Sequence, residues 1–167
     1  MAEGVELRPA READWALVRR WLRQPEVERW LGPATAPETE VIAALTDPAA
    51  IARLIIWTGR PVGYAHAIDA AVWGRDLPEG VPAGAWDLDV FIADTAARGR
   101  GLGPAVLDEL RREVFTTTLA TAVCAFAPVE NEHAVRAYER AGFQWKHIWR
   151  APSGAPMWLL VSPRPRA

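Results

Sequence analysis

Apolar and polar residues alternate from Val5 to Arg8, the period-two pattern of a strand, and Pro9 ends it. From Glu12 the period lengthens. Trp15, Val18, Trp21 and Leu22 recur at spacings of three and four, the stripe of an amphipathic helix. Pro25 opens a second short helix bearing Val27, Trp30 and Leu31, closed by Gly32 and Pro33, and another short helix is expected from Glu38 to Leu45. Two branched apolar runs, Ala52–Trp57 and Val62–Ile68, flank Thr58-Gly59-Arg60-Pro61 and predict a hairpin. The stretch from Asp69 to Ala85 holds three glycines and two prolines and reads as a long loop, a feature uncommon in compact domains unless it serves a site.

Trp86–Ile92 resumes as a strand and runs into the glycine-rich segment that ends at Gly103. A helix is predicted to begin with Pro104 in its first position, where a missing amide hydrogen costs nothing, and to bury Val106, Leu107, Leu110, Val114 and Phe115. Leu119–Phe126 is almost continuously apolar, as expected of a strand covered on both faces. Ala134–Arg140 predicts a helix stopped at Gly142. Phe143–Trp149 and Met157–Val161 predict a closing strand pair about a turn at Ser153-Gly154, with the tail from Pro163 frayed. No internal repeat, heptad array or low-complexity segment interrupts this order.

Composition narrows the possibilities. The chain has 167 residues, half of them apolar and 24% charged, which suits one folded domain over residues 1–167. The formal charge of -2 provides no basic field for a nucleic-acid backbone, so no nucleic-acid partner is expected. The single cysteine, Cys124, forms no internal disulfide and no thiolate zinc site, and no metal is expected. The acidic start Met1-Ala2-Glu3-Gly4 is unlike a signal peptide, and no window approaches the ~18 apolar residues of a membrane span; a cytoplasmic protein with no membrane partner is expected. Of nine tryptophans, Trp15, Trp21, Trp30, Trp57, Trp145, Trp149 and Trp158 lie on helix or strand patterns and are expected in the core. Trp73 and Trp86 flank the long loop and are the two expected to face a ligand.

Two segments carry chemistry. In the first, Gly99, Gly101 and Gly103 alternate between a strand and a helix, beside Arg98 and Arg100. Glycines let main-chain amides approach a ligand, and a helix N-terminus adds unpaired donors, so the segment suits a pyrophosphate. The spacing is not G-x-G-x-x-G, the following strand carries no acid, and no Gly-Lys-Ser/Thr follows; dinucleotide-binding and P-loop readings are excluded. In the second, Asn131 is placed to cap a helix on which Ala134 permits close approach and Tyr138 lies two turns in. Each segment alone also reads as plain structure, a turn and a capped helix.

Taken in this order, the two segments resemble the GCN5-related N-acetyltransferase (GNAT) superfamily. Its acetyl-CoA loop, Gln/Arg-x-x-Gly-x-Gly/Ala, is matched by Arg98, Gly101 and Gly103, and its Asn-x-x-Ala-x-x-x-Tyr-x-x-x-Gly-Phe pattern by Asn131, Ala134, Tyr138, Gly142 and Phe143. The resemblance implies an α/β (mixed α+β) fold: a central mixed, mostly antiparallel sheet of six to seven strands flanked by four to five helices. It implies acetyl-CoA as cosubstrate, held by Arg98, Gly99, Arg100, Gly101, Leu102, Gly103, Asn131 and Tyr138, with the pantetheine arm along Phe91, Ile92 and Ala93. A narrower resemblance, to aminoglycoside 6'-N-acetyltransferases, covers Val5-Glu6-Leu7-Arg8, Trp21-Leu22, Pro61-Val62-Gly63-Tyr64-Ala65 and Asp89, and implies an activity that confers antibiotic resistance. The chain departs from those enzymes at Phe126, where they tend to place a carboxylate.

The implied reaction is direct attack of a primary amine on the thioester. An alkylamine of pKa about 10 arrives charged at neutral pH, so a base is needed. Asp89 is the first candidate, provided burial or a neighbouring carboxylate raises its pKa; Asp87, two positions away on the same strand face, is that neighbour. Tyr138 is the candidate acid, acting mainly as a hydrogen-bond donor to the departing thiolate. His66 and His133 read as a strand residue and a surface residue.

From Asp69 to Asp94 the chain carries six acids (Asp69, Asp76, Glu79, Asp87, Asp89 and Asp94) against Arg75 alone, which favours a small cationic acceptor. Asp69, Trp73, Trp86 and Asp89 are the candidate acceptor-binding residues. The leading expectation is N-acetylation of an aminoglycoside-like amine by a monomer or homodimer. The alternatives are acylation of a siderophore hydroxylamine or a peptide amine, and a non-catalytic acyl-CoA-binding module.

Overall fold

The computed structural model of the protein describes residues 4–31, 35–72, 77–150 and 155–166. In chain order the elements are β1 (Val5–Pro9), α1 (Trp15–Leu22), α2 (Pro25–Leu31), α3 (Thr35–Thr46), β2 (Ile51–Trp57), β3 (Arg60–Asp69), β4 (Ala85–Ile92), α4 (Leu102–Thr117), β5 (Ala122–Pro128), α5 (Glu132–Arg140), β6 (Gln144–Arg150) and β7 (Pro156–Pro163). The strands form one seven-stranded sheet in the order β1-β2-β3-β4-β5-β7-β6. Every neighbouring pair is antiparallel except β4 and β5. This is the mixed, mostly antiparallel sheet with five α-helices that the sequence implies.

Strand alternation sorts the core into two layers. Against one face, α4 and α5 bury Val106, Leu110, Val114 and Val135 together with Val62, Leu88 and Val123. Against the other, α1, α2 and α3 bury Val18, Leu22, Val27 and Val41 with Leu54, Tyr64 and Ile68. On β4 the even positions Trp86, Leu88, Val90 and Ile92 join the first layer, whereas Phe91 joins the second. Asp87 and Asp89 alternate in step with Phe91 and therefore project toward α1–α3.

The pairing of β4 with β5 is short. It runs over Ala85–Asp87 and Ala122–Cys124 and goes no further, although β4 continues to Ile92 and β5 to Pro128. The sheet is split between these strands, and the split opens the site.

Several boundaries differ from expectation for physical reasons. Pro104 is the third residue of α4, after Leu102 and Gly103, because Gly101 takes the N-cap position; any residue of a first turn lacks an intrahelical acceptor, so proline is accommodated there too. Leu119 is 96% exposed in the connection after α4, and the strand begins at Ala122. α3 starts at Thr35 and α5 at Glu132, one or more residues ahead of their apolar stripes. The chain end is tied down at Arg164, whose guanidinium donates to the carbonyls of Phe115, Thr118 and Ala120. The expected turn at Ser153-Gly154 lies outside the described residues. Among the described residues no helix is long and apolar enough to cross a membrane.

Candidate active site

A cavity of about 1080 Å³ follows the split through the sheet. Its floor on one side is the bend after β4. Gly99 and Gly101 stand there at φ +74° and +75°, in the left-handed region that glycine adopts without strain. Gly101 is the N-cap of α4, a sixteen-residue helix with no acid in its first turn. The first-turn amides therefore face the cavity without intrahelical acceptors and with the positive end of the helix dipole behind them, a cradle suited to a diphosphate. Arg98 packs at the same bend and donates from Nε to the carbonyl of Ile92 at 3.0 Å, which ties the bend to the end of β4. Asn131 accepts the amide of Ala134 at 3.2 Å, capping α5 as its motif predicts.

The same cavity continues past the splayed ends of β4 and β5 to α2 and α3, lined by Asp87, Asp89, Phe126, Tyr138, Trp30 and Glu40. Tyr138 belongs to the core layer under α4 and α5, while the two aspartates project to the opposite face. The split puts them on one cavity.

Burial dominates the electrostatics here. It raises Asp89 to about 6, with a hydrogen bond from the Val90 amide pulling the other way. Asp87 is held well above the usual carboxylate range by burial, then by the charges of Asp89 and Glu40. Burial and the neighbouring Asp89 raise Glu40 to about 7. Tyr138 is raised by burial and by Asp89, Asp87 and Cys124, so it remains a phenol and a donor. A strand aspartate with its pKa lifted toward neutrality has the property that a base for an ammonium requires.

Not every expected site residue reaches this cavity. Phe91, Ile92, Arg98, Gly99, Gly101, Leu102, Gly103 and Asn131 line it. Ala93 does not; it is buried, with its amide bonded to the carbonyl of Val62. Arg100 turns outward over the Trp57 ring at 5.9 Å. Trp86 is a core residue packed on the α4 side, on the face opposite Asp87, because it sits at an even position of β4. Asp69 is exposed at the far end of β3 and accepts the Ala71 amide. Trp73 and Asp76 lie outside the described residues. The acidic stretch is thus dispersed: Asp94 caps a turn of 3-10 helix and pairs with Arg60, and of the stretch's own described acids Asp87 and Asp89 alone enter the cavity.

Two tryptophans expected in the core line the cavity instead. Trp30 does so under the guanidinium of Arg29, 4.5 Å from its ring, and Trp149 against Phe126. A third, Trp145, is 48% exposed on edge strand β6. Sequence reasoning also passed over Glu40. Pro37, Val41 and Ala44 are buried along α3, and Glu40 falls at the i, i+3, i+4 positions of that stripe. An acid in an apolar stripe was the available signal.

Residues 10–150 match the family model of the acetyltransferase (GNAT) domain. The chain belongs to the GNAT acetyltransferases. Aminoglycoside N(6')-acetyltransferase type 1 of Klebsiella pneumoniae is 25% identical over 170 residues, spanning 95% of this chain and 83% of that protein, and its Serratia marcescens counterpart matches equally. The structure of AAC(6')-Ib with paromomycin and acetyl-CoA superposes with a TM-score of 0.82 at 27% identity, over 97% of this chain and 94% of the other. Its complex with coenzyme A and kanamycin gives 0.81 at 27% identity, over 96% and 95%. This GNAT acetyltransferase uses acetyl-CoA as cosubstrate, and the α4 cradle and the split beyond it fit a ligand with a diphosphate at one end and a long amide-bearing arm.

Proposed function

We propose that this enzyme, as one acetyltransferase domain over residues 1–167, transfers the acetyl group of acetyl-CoA to a primary amine of an aminoglycoside in the cytoplasm, acting as a monomer or homodimer. One observation carries the reading: Asp89, raised to about 6, and the protonated Tyr138 meet on a single cavity that begins at the α4 N-terminus. The pyrophosphate rests on the Gly99–Gly103 bend, and the pantetheine arm passes through the split, which leaves the thioester between the two faces of the sheet. An ammonium approaching from the α2–α3 side gives up a proton at Asp89. The amine lone pair then attacks the carbonyl carbon as the C–S bond breaks, and Tyr138 donates a hydrogen bond to the thiolate. Proximity supplies much of the rate in such a direct transfer. Asp87, two positions before Asp89 on the same cavity, is raised by burial and by Asp89 and Glu40, which favours its neutral form. Trp30 and Trp149 give the acceptor half aromatic walls suited to sugar rings.

The test is thiol release from acetyl-CoA over aminoglycosides, polyamines, hydroxylamines and peptides. Turnover is expected with aminoglycosides, and Asp89→Asn should cut it by about 100-fold or more. Glu109→Gln, on the outer face of α4, should leave it unchanged. Coenzyme A binding with no thiol release from any amine would make the chain a non-catalytic acyl-CoA binder.

A further inference from the structure

Glu40, His66 and Asp89 come from three different elements, α3, β3 and β4. One carboxylate oxygen of Glu40, one of Asp89 and one ring nitrogen of His66 all lie within 4.8 Å of one another. His66 is 1% exposed, its Nδ1 is 2.9 Å from the Tyr64 hydroxyl, and its Nε2 has no hydrogen-bond partner among the described residues. A polar atom that is buried and unpaired costs stability unless a ligand supplies the missing bond.

The acids around this cluster outnumber the cations. Glu40 and Asp89 meet in it from α3 and β4, and Asp87 of β4, Tyr64 of β3 and Tyr138 of α5 act on them electrostatically. Glu26 and Arg29 line the same cavity from α2. Arg19 of α1 and Arg23, just past its end, reach α3 only at Glu38, at 3.6 and 3.3 Å. Among the described residues no arginine or lysine forms an ion pair with Glu40, Asp87 or Asp89. The group that fits is a cation with several donors. A primary ammonium has three N–H bonds in tetrahedral array, and acceptors about 2.8 Å from its nitrogen stand about 4.6 Å apart, which fits within the 4.8 Å that bounds every separation here.

Resting on the acetyltransferase reading above, we propose that Glu40 is a second catalytic carboxylate, which with Asp89 grips the acceptor's ammonium group and takes its proton before attack. His66 offers the third acceptor. The balance is simple. The ammonium passes one proton to the carboxylate pair, the freed lone pair forms the C–N bond as the C–S bond breaks, and the second nitrogen proton leaves with the thiolate as coenzyme A thiol. The pair then returns its proton to water. Burial, which raises Glu40 to about 7, keeps that carboxylate basic enough for the exchange. The arrangement selects acceptors that arrive as ammonium ions over neutral hydroxylamines.

Steady-state kinetics with kanamycin as acceptor, across pH 5 to 9, test this on Glu40→Gln and Glu40→Asp. For Glu40→Gln, kcat/KM for kanamycin is expected to fall about 10- to 100-fold. KM for acetyl-CoA should stay the same, and the acid limb of the profile should move to lower pH, toward that of Asp89 alone. Glu40→Asp should keep the limb and recover part of the rate. An unmoved limb with kcat/KM within about twofold of wild type (under 0.5 kcal/mol) overturns the proposal. If Glu40→Gln does not fold, Glu40→Asp decides: kcat/KM for kanamycin reduced several-fold with the limb in place supports the proposal, and a profile within about twofold of wild type opposes it. Should wild type release no thiol with any amine, the acetyltransfer reading falls by itself. The cation grip is then judged by calorimetric kanamycin binding, weaker in Glu40→Gln at pH 8 if the pair exists and equal if it does not.

Discussion

His66 and Asp89 stand directly opposite one another in the register of β3 and β4, so an imidazole and a carboxylate share one face of the sheet under the cavity. Burial pushes them toward neutrality from opposite directions: His66 falls to about 4 and Asp89 rises to about 6.

Stability should therefore respond to pH through two opposed contributions. A histidine whose folded pKa lies below its unfolded value of about 6.5 stabilises the fold above that value and loses the contribution as pH falls toward 4, roughly 3 kcal/mol in all. Asp89 and Glu40, raised in the fold, work the other way: they favour the fold below about pH 4 and cost stability as pH climbs to 6 and 7. His66→Gln removes only the first contribution. Its melting temperature relative to wild type should rise by several degrees between pH 7 and pH 4.5, measured by calorimetry. A constant offset across that range contradicts the assignment.

Tyr138→Phe keeps the edge-to-face contact with Phe143, whose ring centroid lies 5.3 Å away, and deletes only the hydroxyl. A hydrogen bond to a developing thiolate is worth about 1.5–3 kcal/mol, so kcat should fall about 10- to 100-fold. Coenzyme A affinity should hold. A rate equal to wild type in stopped-flow thiol release removes the tyrosine from the reaction.

Gly101→Ala isolates the backbone at the α4 cradle. An added Cβ would meet no heavy atom within 4 Å, so the change acts only through the left-handed conformation, at about 1–2 kcal/mol. For wild type, acetyl-CoA at a hundred times its Kd should add about 2.7 kcal/mol of stability. In differential scanning fluorimetry Gly101→Ala should melt lower without ligand and gain less from it. An undiminished ligand shift would place the diphosphate elsewhere.

Much of this was legible in the chain. All seven strands and five helices were located, β1 by alternation, α1 by its stripe at spacings of three and four, and β2, β3 and β5 by apolar runs bounded by turn residues. The Arg98–Gly103 bend and the helix capped by Asn131 stood out in the sequence because main-chain recognition of an anion demands glycine and free amides at fixed spacing, and the structure brings both to one cavity. The other end of that cavity was less legible. Its walls come from α2, α3 and β4, and no local spacing records which distant side chains a sheet split will bring together. Trp86 looked like a ligand contact by its place beside the loop, yet strand alternation turns it into the core. Glu40 drew no reading from the sequence, yet the stripe of α3 turns it inward.

The split itself has a mechanical meaning. Only three rungs, from Ala85 to Asp87 on one side, stitch β1–β4 to the β5–β7 unit. Beyond them the weave is left open along β4, so a molecule threaded there serves as the absent weft. Loading the enzyme and completing its fabric are then a single event, and protection of the Leu88–Ile92 amides from exchange should follow occupancy of the gap.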